Sequence, residues 1–200
     1  ENLIEAYFRR GYTKNKLEDF KGALEDYDKA ILIDPEDSEL YSNRGDTKNK
    51  LSDYQGALDD YKKAILIDSE DAELFAKCGD TKNKLSDYQG ALDDYDKAIS
   101  IDPLEAKLYC TRADIKSNLK EYNGAIDDYT KWIKSYPKSH KNSLIYQKLG
   151  FCMSKLAQHK NAIDTYNKSI KLNPKNSQSY IGRAISEDAL GNYQKALDDF

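Results

Sequence analysis

Seventeen consecutive residues, GDTKNKLSDYQGALDDY, occur twice without a change, at Gly45–Tyr61 and at Gly79–Tyr95, offset by 34. A unit this short cannot bury an apolar face alone, so a chain built from such units folds by stacking each against the next. The period runs well beyond the duplicated stretch. Units begun at Ile4, Ser38, Ala72, Ala106, Ser143 and Ser177 bring small residues to the eighth position: Gly11, Gly45, Gly79, Ala113, Gly150 and Ala184. Alanine recurs at the twentieth, from Ala23 to Ala196, and an aromatic at the twenty-fourth: Tyr27, Tyr61, Tyr95, Tyr129, Tyr166 and Phe200. Proline closes four units at the thirty-second, as Pro35, Pro103, Pro137 and Pro174, with Ser69 in that place in the second.

Within a unit, positions 4, 8 and 11 to 14 predict one helix, and the apolar stripe at 17, 20, 21, 24, 27 and 28 predicts another. In the second unit that stripe is Tyr54, Ala57, Leu58, Tyr61, Ala64 and Ile65. Between the helices, Ser52 or Asp53 can cap the second one. The Asp-Pro pairs stop it, because proline cannot continue a helix. A small residue at 8 facing Ala at 20 lets the two helices approach closely, and the aromatic at 24 fills space between units.

These positions resemble the tetratricopeptide repeat, whose 34-residue unit carries a small residue at 8, Ala at 20, an aromatic at 24, Ala at 27 and Pro at 32. The resemblance covers Ile4 to Phe200. It implies an all-α fold, a right-handed superhelical solenoid of antiparallel helix pairs forming one domain over 1–200. The units are 4–37, 38–71, 72–105, 106–139, 143–176 and a truncated 177–200, with an insertion at 140–142. Two departures stand out. Position 7, usually apolar in the family, is arginine at Arg10, Arg44, Arg112 and Arg183, and Trp132 replaces the small residue at 27. Position 23 carries Asp26, Asp60, Asp94, Asp128 and Asp199; where the arginine becomes Leu149, the acid becomes Thr165. This covariation predicts an Arg–Asp pair between the helices of a unit, broken only by Cys78 opposite Asp94. Of sixteen tyrosines, fourteen fall at positions 4, 17 and 24, so they read as packing rather than a platform for stacking bases.

Apolar residues make up 39% and charged residues 33% of the chain, an ordered composition. No apolar run approaches the roughly 18 residues of a membrane span. Cys78, Cys110 and Cys152 form no close pair, and unpaired thiols favour a reducing compartment such as the cytoplasm. His140 and His159 have no metal-ligand spacing, so neither metal nor cofactor is expected. The chain begins at Glu1 and stops at Phe200 inside an unfinished unit, so it reads as a piece of a longer protein, and its location is not legible. Residues 1–105 carry 26 acidic and 15 basic side chains, net −11; residues 106–200 carry 9 and 16, net +7. If the units stack in order, this is a dipole in space.

The resemblance implies that positions 2, 5, 6, 9, 12 and 13 of the first helices face a concave groove. They form ladders: Asp46, Asp80 and Asp114 at 9; Asn15, Asn49 and Asn83 at 12; Lys16, Lys50 and Lys84 at 13; Asn43 and Lys77 at 6. Asn offers donor and acceptor to an extended peptide backbone, and Asp and Lys select its charge. The alternative is a solvated face whose copies are alike through recent duplication. At the ends the groove changes character, with Phe8 and Tyr12 in the first unit. In the last two it carries Lys148, Phe151, Lys155, Ile181 and Ile185, a mixed apolar and basic pocket suited to recognition. Chaperone-binding members of the family hold a C-terminal carboxylate with Lys, Asn, Asn, Lys and Lys or Arg at defined places. Here those places hold Phe8, Tyr12, Asn43, Glu73 and Lys77, and the shifted alignment Ser42, Asp46, Lys77, Lys107 and Thr111 is poorer, so that ligand is disfavoured. No phosphate loop or catalytic constellation is present, and the acidic half opposes nucleic acid. The expected function is a non-catalytic scaffold that binds a peptide or protein partner, with head-to-tail association of copies as the alternative.

Overall fold

The two helices expected of each unit are present in the computed structural model, which describes residues 2–200. The chain up to Leu104 forms one compact unit and Glu105–Phe200 a second. In the first, α1 (Asn2–Lys16), α2 (Phe20–Ile33), α3 (Ser38–Lys50), α4 (Tyr54–Ile67), α5 (Ala72–Lys84) and α6 (Tyr88–Ile101) pack in chain order, and α1 also meets α3. In the second, α7 (Ala106–Asn118), α8 (Tyr122–Ser135), α9 (Asn142–Lys155), α10 (His159–Leu172), α11 (Ser177–Ala189) and α12 (Tyr193–Asp199) do the same, and α9 also meets α11. No strand occurs among the described residues. The fold is all-α and made of helical repeats.

The turn inside each repeat is the same six times. Position 15 takes the left-handed region in Glu18, Ser52, Ser86, Lys120, Ala157 and Gly191, with φ between 58° and 78°. Only the last uses the residue that adopts this conformation without strain. The following aspartate then caps the second helix in the first unit: Asp19, Asp53 and Asp87 accept from the backbone N–H of Gly22, Gly56 and Gly90. Such a cap contributes about 0.5–2 kcal/mol. The choice between Ser52 and Asp53 is thereby settled, with Ser52 forming the turn and Asp53 the cap.

Position 24 builds the core. The rings of Tyr27, Tyr61, Tyr95 and Tyr129 are fully buried, as are Ala23, Ala57, Ala91 and Ala125. The small residue at 8 answers chiefly to that tyrosine: a Cβ on Gly45 would stand 2.6 Å from Tyr61 Cε1, and one on Gly79 3.0 Å from Tyr95 Cε2. The tyrosine therefore fills space beneath the first helix of its own repeat and also packs against the next, Tyr61 with Cys78 and Tyr129 with Leu149 and Cys152.

The Arg–Asp pairs are present and carry a third member. Arg44 donates Nε and Nη2 to Asp60 at 3.0 and 2.6 Å, and Lys48 stands 2.8 Å from the same carboxylate. Arg10 and Lys14 meet Asp26 in the same way, and Arg112 and Lys116 meet Asp128. Asp199 receives Arg183 with no lysine beside it, because position 11 there is Glu187. Hydrogen bonds from Arg10 hold the Asp26 carboxyl down at about 2. Where Cys78 replaces the arginine, Lys82 alone approaches Asp94, at 2.8 Å. Burial pushes this acid up, against the pull of Lys82. In the fifth repeat all three members change together, to Leu149, Met153 and Thr165.

The two departures at Trp132 and residues 140–142 are one feature. Trp132 is buried, its ring centroid 4.8 Å from that of Tyr136. Its indole N–H donates to Asn142 Oδ1 at 3.2 Å, and Asn142 Nδ2 donates to the carbonyls of Tyr136 and Pro137 at 2.7 and 3.1 Å. The inserted residues supply the polar partner that a buried indole requires.

Candidate peptide-binding groove

The first helices of the first unit line a recess of about 440 Å³, formed by Tyr12, Asn15, Lys16, Asn43, Asp46, Asn49, Lys50, Tyr61, Lys77, Asp80, Asn83 and Lys84. Ten of these, Lys16 among them, are read from the ladders and Tyr12 from the groove's end; Tyr61 joins them. Phe8 lies outside the lining, half-buried with its ring centroid 6.3 Å from Tyr27.

The ladders bond to themselves as well as facing the recess. The buried Tyr61 hydroxyl donates to Asp46 at 2.8 Å, and Tyr95 donates to Asp80 in the same way. Asp46 also receives Lys77 of the next repeat at 3.0 Å. Asn15 donates to Thr47 and Asn49 to Thr81, the latter at 2.6 Å. Each amide oxygen in turn accepts a lysine from the next repeat, Lys50 on Asn15 at 2.5 Å and Lys84 on Asn49 at 2.6 Å. These rungs tie adjacent repeats at their polar face, where no apolar contact could. Burial, then the carboxylate at position 9, pushes the Tyr61 phenol up; Tyr95 is pushed up by the same two causes. Tyr27 has Tyr12 at position 9 instead, so its buried hydroxyl makes no hydrogen bond and burial pushes it up to about 12.

In the second unit, Asp114, Ser117, Asn118, Tyr129, Gln147, Lys148 and Phe151 line a recess of about 300 Å³. Lys148 reaches both Asp114 oxygens at 2.7 Å, and Tyr129 donates to the same acid at 2.5 Å. Phe151 is 41% exposed, meets Tyr122 edge-on, and carries Lys155 over its face at 5.3 Å. Ile181 and Ile185 are exposed on α11, outside the lining of this recess. The thiols offer little chemistry: burial pushes Cys78 up to about 12 and raises Cys110 and Cys152. Among the described residues no group of His, Cys, Asp and Glu could hold a metal ion, and no helix is long and apolar enough to cross a membrane.

Tetratricopeptide-repeat models match residues 4–37, then 38–71, 106–139 and 144–176, and again 165–198. The chain belongs to the tetratricopeptide-repeat family. No curated protein matches it. Among solved structures, a tetratricopeptide-repeat protein from Parabacteroides merdae superposes with a TM-score of 0.80 at 20% identity, covering 100% of this chain and 78% of that one. MamA superposes at 0.78 with 23% identity over 88% and 94%, and YrrB, a repeat protein with an unusual peptide-binding site, at 0.77 with 18% over 86% and 88%. At such identities the likeness is one of fold. Membership of this family of tetratricopeptide-repeat proteins supports a protein-interaction scaffold.

Proposed function

We propose that the first unit binds an extended peptide segment along the recess from Tyr12 to Lys84. One observation carries this: on a face whose polar groups largely satisfy one another, two asparagines keep free amide atoms. Asn43 uses Nδ2 on the Glu39 carbonyl and leaves Oδ1 open, and the Asn83 side-chain amide makes no hydrogen bond among the described residues. Both line the recess, in successive repeats, and an amide there offers a peptide backbone an acceptor and a donor. In the second unit, Phe151 supplies the exposed aromatic surface for a second contact. The test is an array of unstructured peptides probed with the whole chain. Asn43→Ala with Asn83→Ala is expected to weaken captured peptides about thirtyfold, from about 1 kcal/mol per lost bond, with thermal unfolding unmoved. Affinity that survives the double substitution overturns this use of the groove.

A second reading, association of copies through opposite charges, draws on the net −11 of residues 1–105 against the net +7 of 106–200. It predicts a sedimentation coefficient that rises with protein concentration and falls as salt shortens the Debye length from about 30 Å at 0.01 M to about 8 Å at 0.15 M. A monomer at both salt concentrations removes it.

A further inference from the structure

We infer that the segment taken by this groove is acidic, its carboxylates meeting Lys16, Lys50 and Lys84; the inference rests on the peptide-binding reading above. The first unit carries 25 acidic and 15 basic side chains, yet its recess is lined by four lysines and two aspartates. The lining is thus net +2 while the rest of the unit is net −12. Of the four lysines, Lys77 is neutralised by Asp46 and Glu73. The three at position 13 pair with no carboxylate among the described residues.

Those three are held in place by neutral groups instead. Lys50 lies over the Phe20 ring at 5.6 Å and donates to Asn15; Lys84 lies over Tyr54 at 5.5 Å and donates to Asn49. Lys16 lies over Tyr12 at 4.9 Å. An ammonium has three donors, and each of these bonds uses one at most. Two supports at Lys50 and Lys84, and one at Lys16, position the charge before a ligand arrives, which lowers the entropy lost on binding. A cation in the last turn of a helix also suits the helix dipole, but that accounts for one charge per helix and not for the neutral cradle around it.

A carboxylate in the recess sits within a few ångströms of these lysines. No acid of α2, α4 or α6 pairs with them among the described residues, and Asp19, Asp53 and Asp87, three residues beyond them, are engaged as helix caps. A neighbouring recess lined by Glu39, Asp71 and Glu73 is acidic, so the segment runs along the edge formed by the ends of α1, α3 and α5. Neighbouring helices lie about 8–10 Å apart and an extended chain rises about 3.3 Å per residue, so one lysine meets every third residue.

The experiment compares three fluorescent peptides with Glu, Gln or Lys at every third position and Ser and Gly between. The Glu peptide is expected to bind the whole chain about tenfold more tightly than the Gln peptide at low salt, from a few tenths to 1 kcal/mol per lysine, with the preference shrinking as salt rises. Lys16→Gln, Lys50→Gln and Lys84→Gln together should abolish the preference, because glutamine keeps a donor for Asn15 and Asn49 and loses the charge. The corresponding triple arginine variant should retain it. A Gln peptide that binds as well as the Glu peptide, and is weakened by loss of Asn43 and Asn83, overturns the acidic partner while leaving peptide binding intact. The same holds for a Glu preference that survives the triple glutamine change. No binding by any peptide, on the array or here, removes both.

Discussion

Asp128→Ala is expected to destabilise the second unit by about 3–5 kcal/mol, the cost of leaving a buried ion pair half-made. Asp128 is 1% exposed and receives Arg112 at 2.8 and 2.6 Å and Lys116 at 2.9 Å. Both cations are largely covered, so without the carboxylate neither can fully recover its hydration. The molecule carries its own control, because the fifth repeat fills the same three places with Leu149, Met153 and Thr165. Adding Arg112→Leu and Lys116→Met to Asp128→Thr should return stability to within about 1–2 kcal/mol of the parent, as apolar replacements of whole buried ionic sets generally do. Urea melts read by circular dichroism, and by the fluorescence of Trp132, the chain's one tryptophan, measure both variants. A triple variant as unstable as Asp128→Ala would mean that the network, and not the stranded charge, is what the repeat needs. A loss below about 1 kcal/mol for Asp128→Ala alone would place this pair with exposed surface pairs.

What the sequence displayed and what it hid follow from one distinction. The helix pairs were legible because burial repeats: alanine at 20 and the aromatic at 24 recur in all six units, and only a packed face imposes that. The Arg–Asp pairing was legible because two positions change together, at Leu149 and Thr165. Lys48 and its equivalents changed at Met153 too, yet a lysine on a helix also reads as a solvated residue, so its part in the ion pair was missed. The turn at position 15 was hidden for another reason. Five of six residues in the left-handed region are not glycine, so the usual marker of that conformation is absent. In the groove, the ladder positions marked which residues share a face, but spacing along one helix carries no information about bonds made to the next repeat. That Asn15 and Asn49 are occupied by Thr47 and Thr81, and that Asp46 is occupied by Tyr61 and Lys77, required coordinates. The distinction matters for function, because it separates lysines whose charge is already answered from the three whose charge is not.

Trp132→Ala should cost about 3–5 kcal/mol, as loss of a large buried aromatic does, even though it restores the residue found at this place in the first three repeats, Ala30, Ala64 and Ala98. Alanine suits those repeats because the next first helix follows without an insertion. Here residues 140–142 precede α9, and the indole packs against Tyr136 while Asn142 takes its N–H. Tryptophan and insertion are therefore halves of one solution, and a double-mutant cycle should show it. Asn142→Ala in the parent strands the indole N–H and the carbonyls of Tyr136 and Pro137, costing about 1–3 kcal/mol. In a Trp132→Ala background the indole no longer needs a partner, so the same change should cost less, with a coupling of at least about 0.5 kcal/mol. Hydrogen exchange resolves where the loss falls: protection should drop first in α8 and α9, which pack against each other. Strict additivity would show that the tryptophan and the insertion arose as independent departures from the repeat. Coupling would show that one repeat was re-engineered as a whole, with Asn142 holding both the ring and the chain that leads into α9.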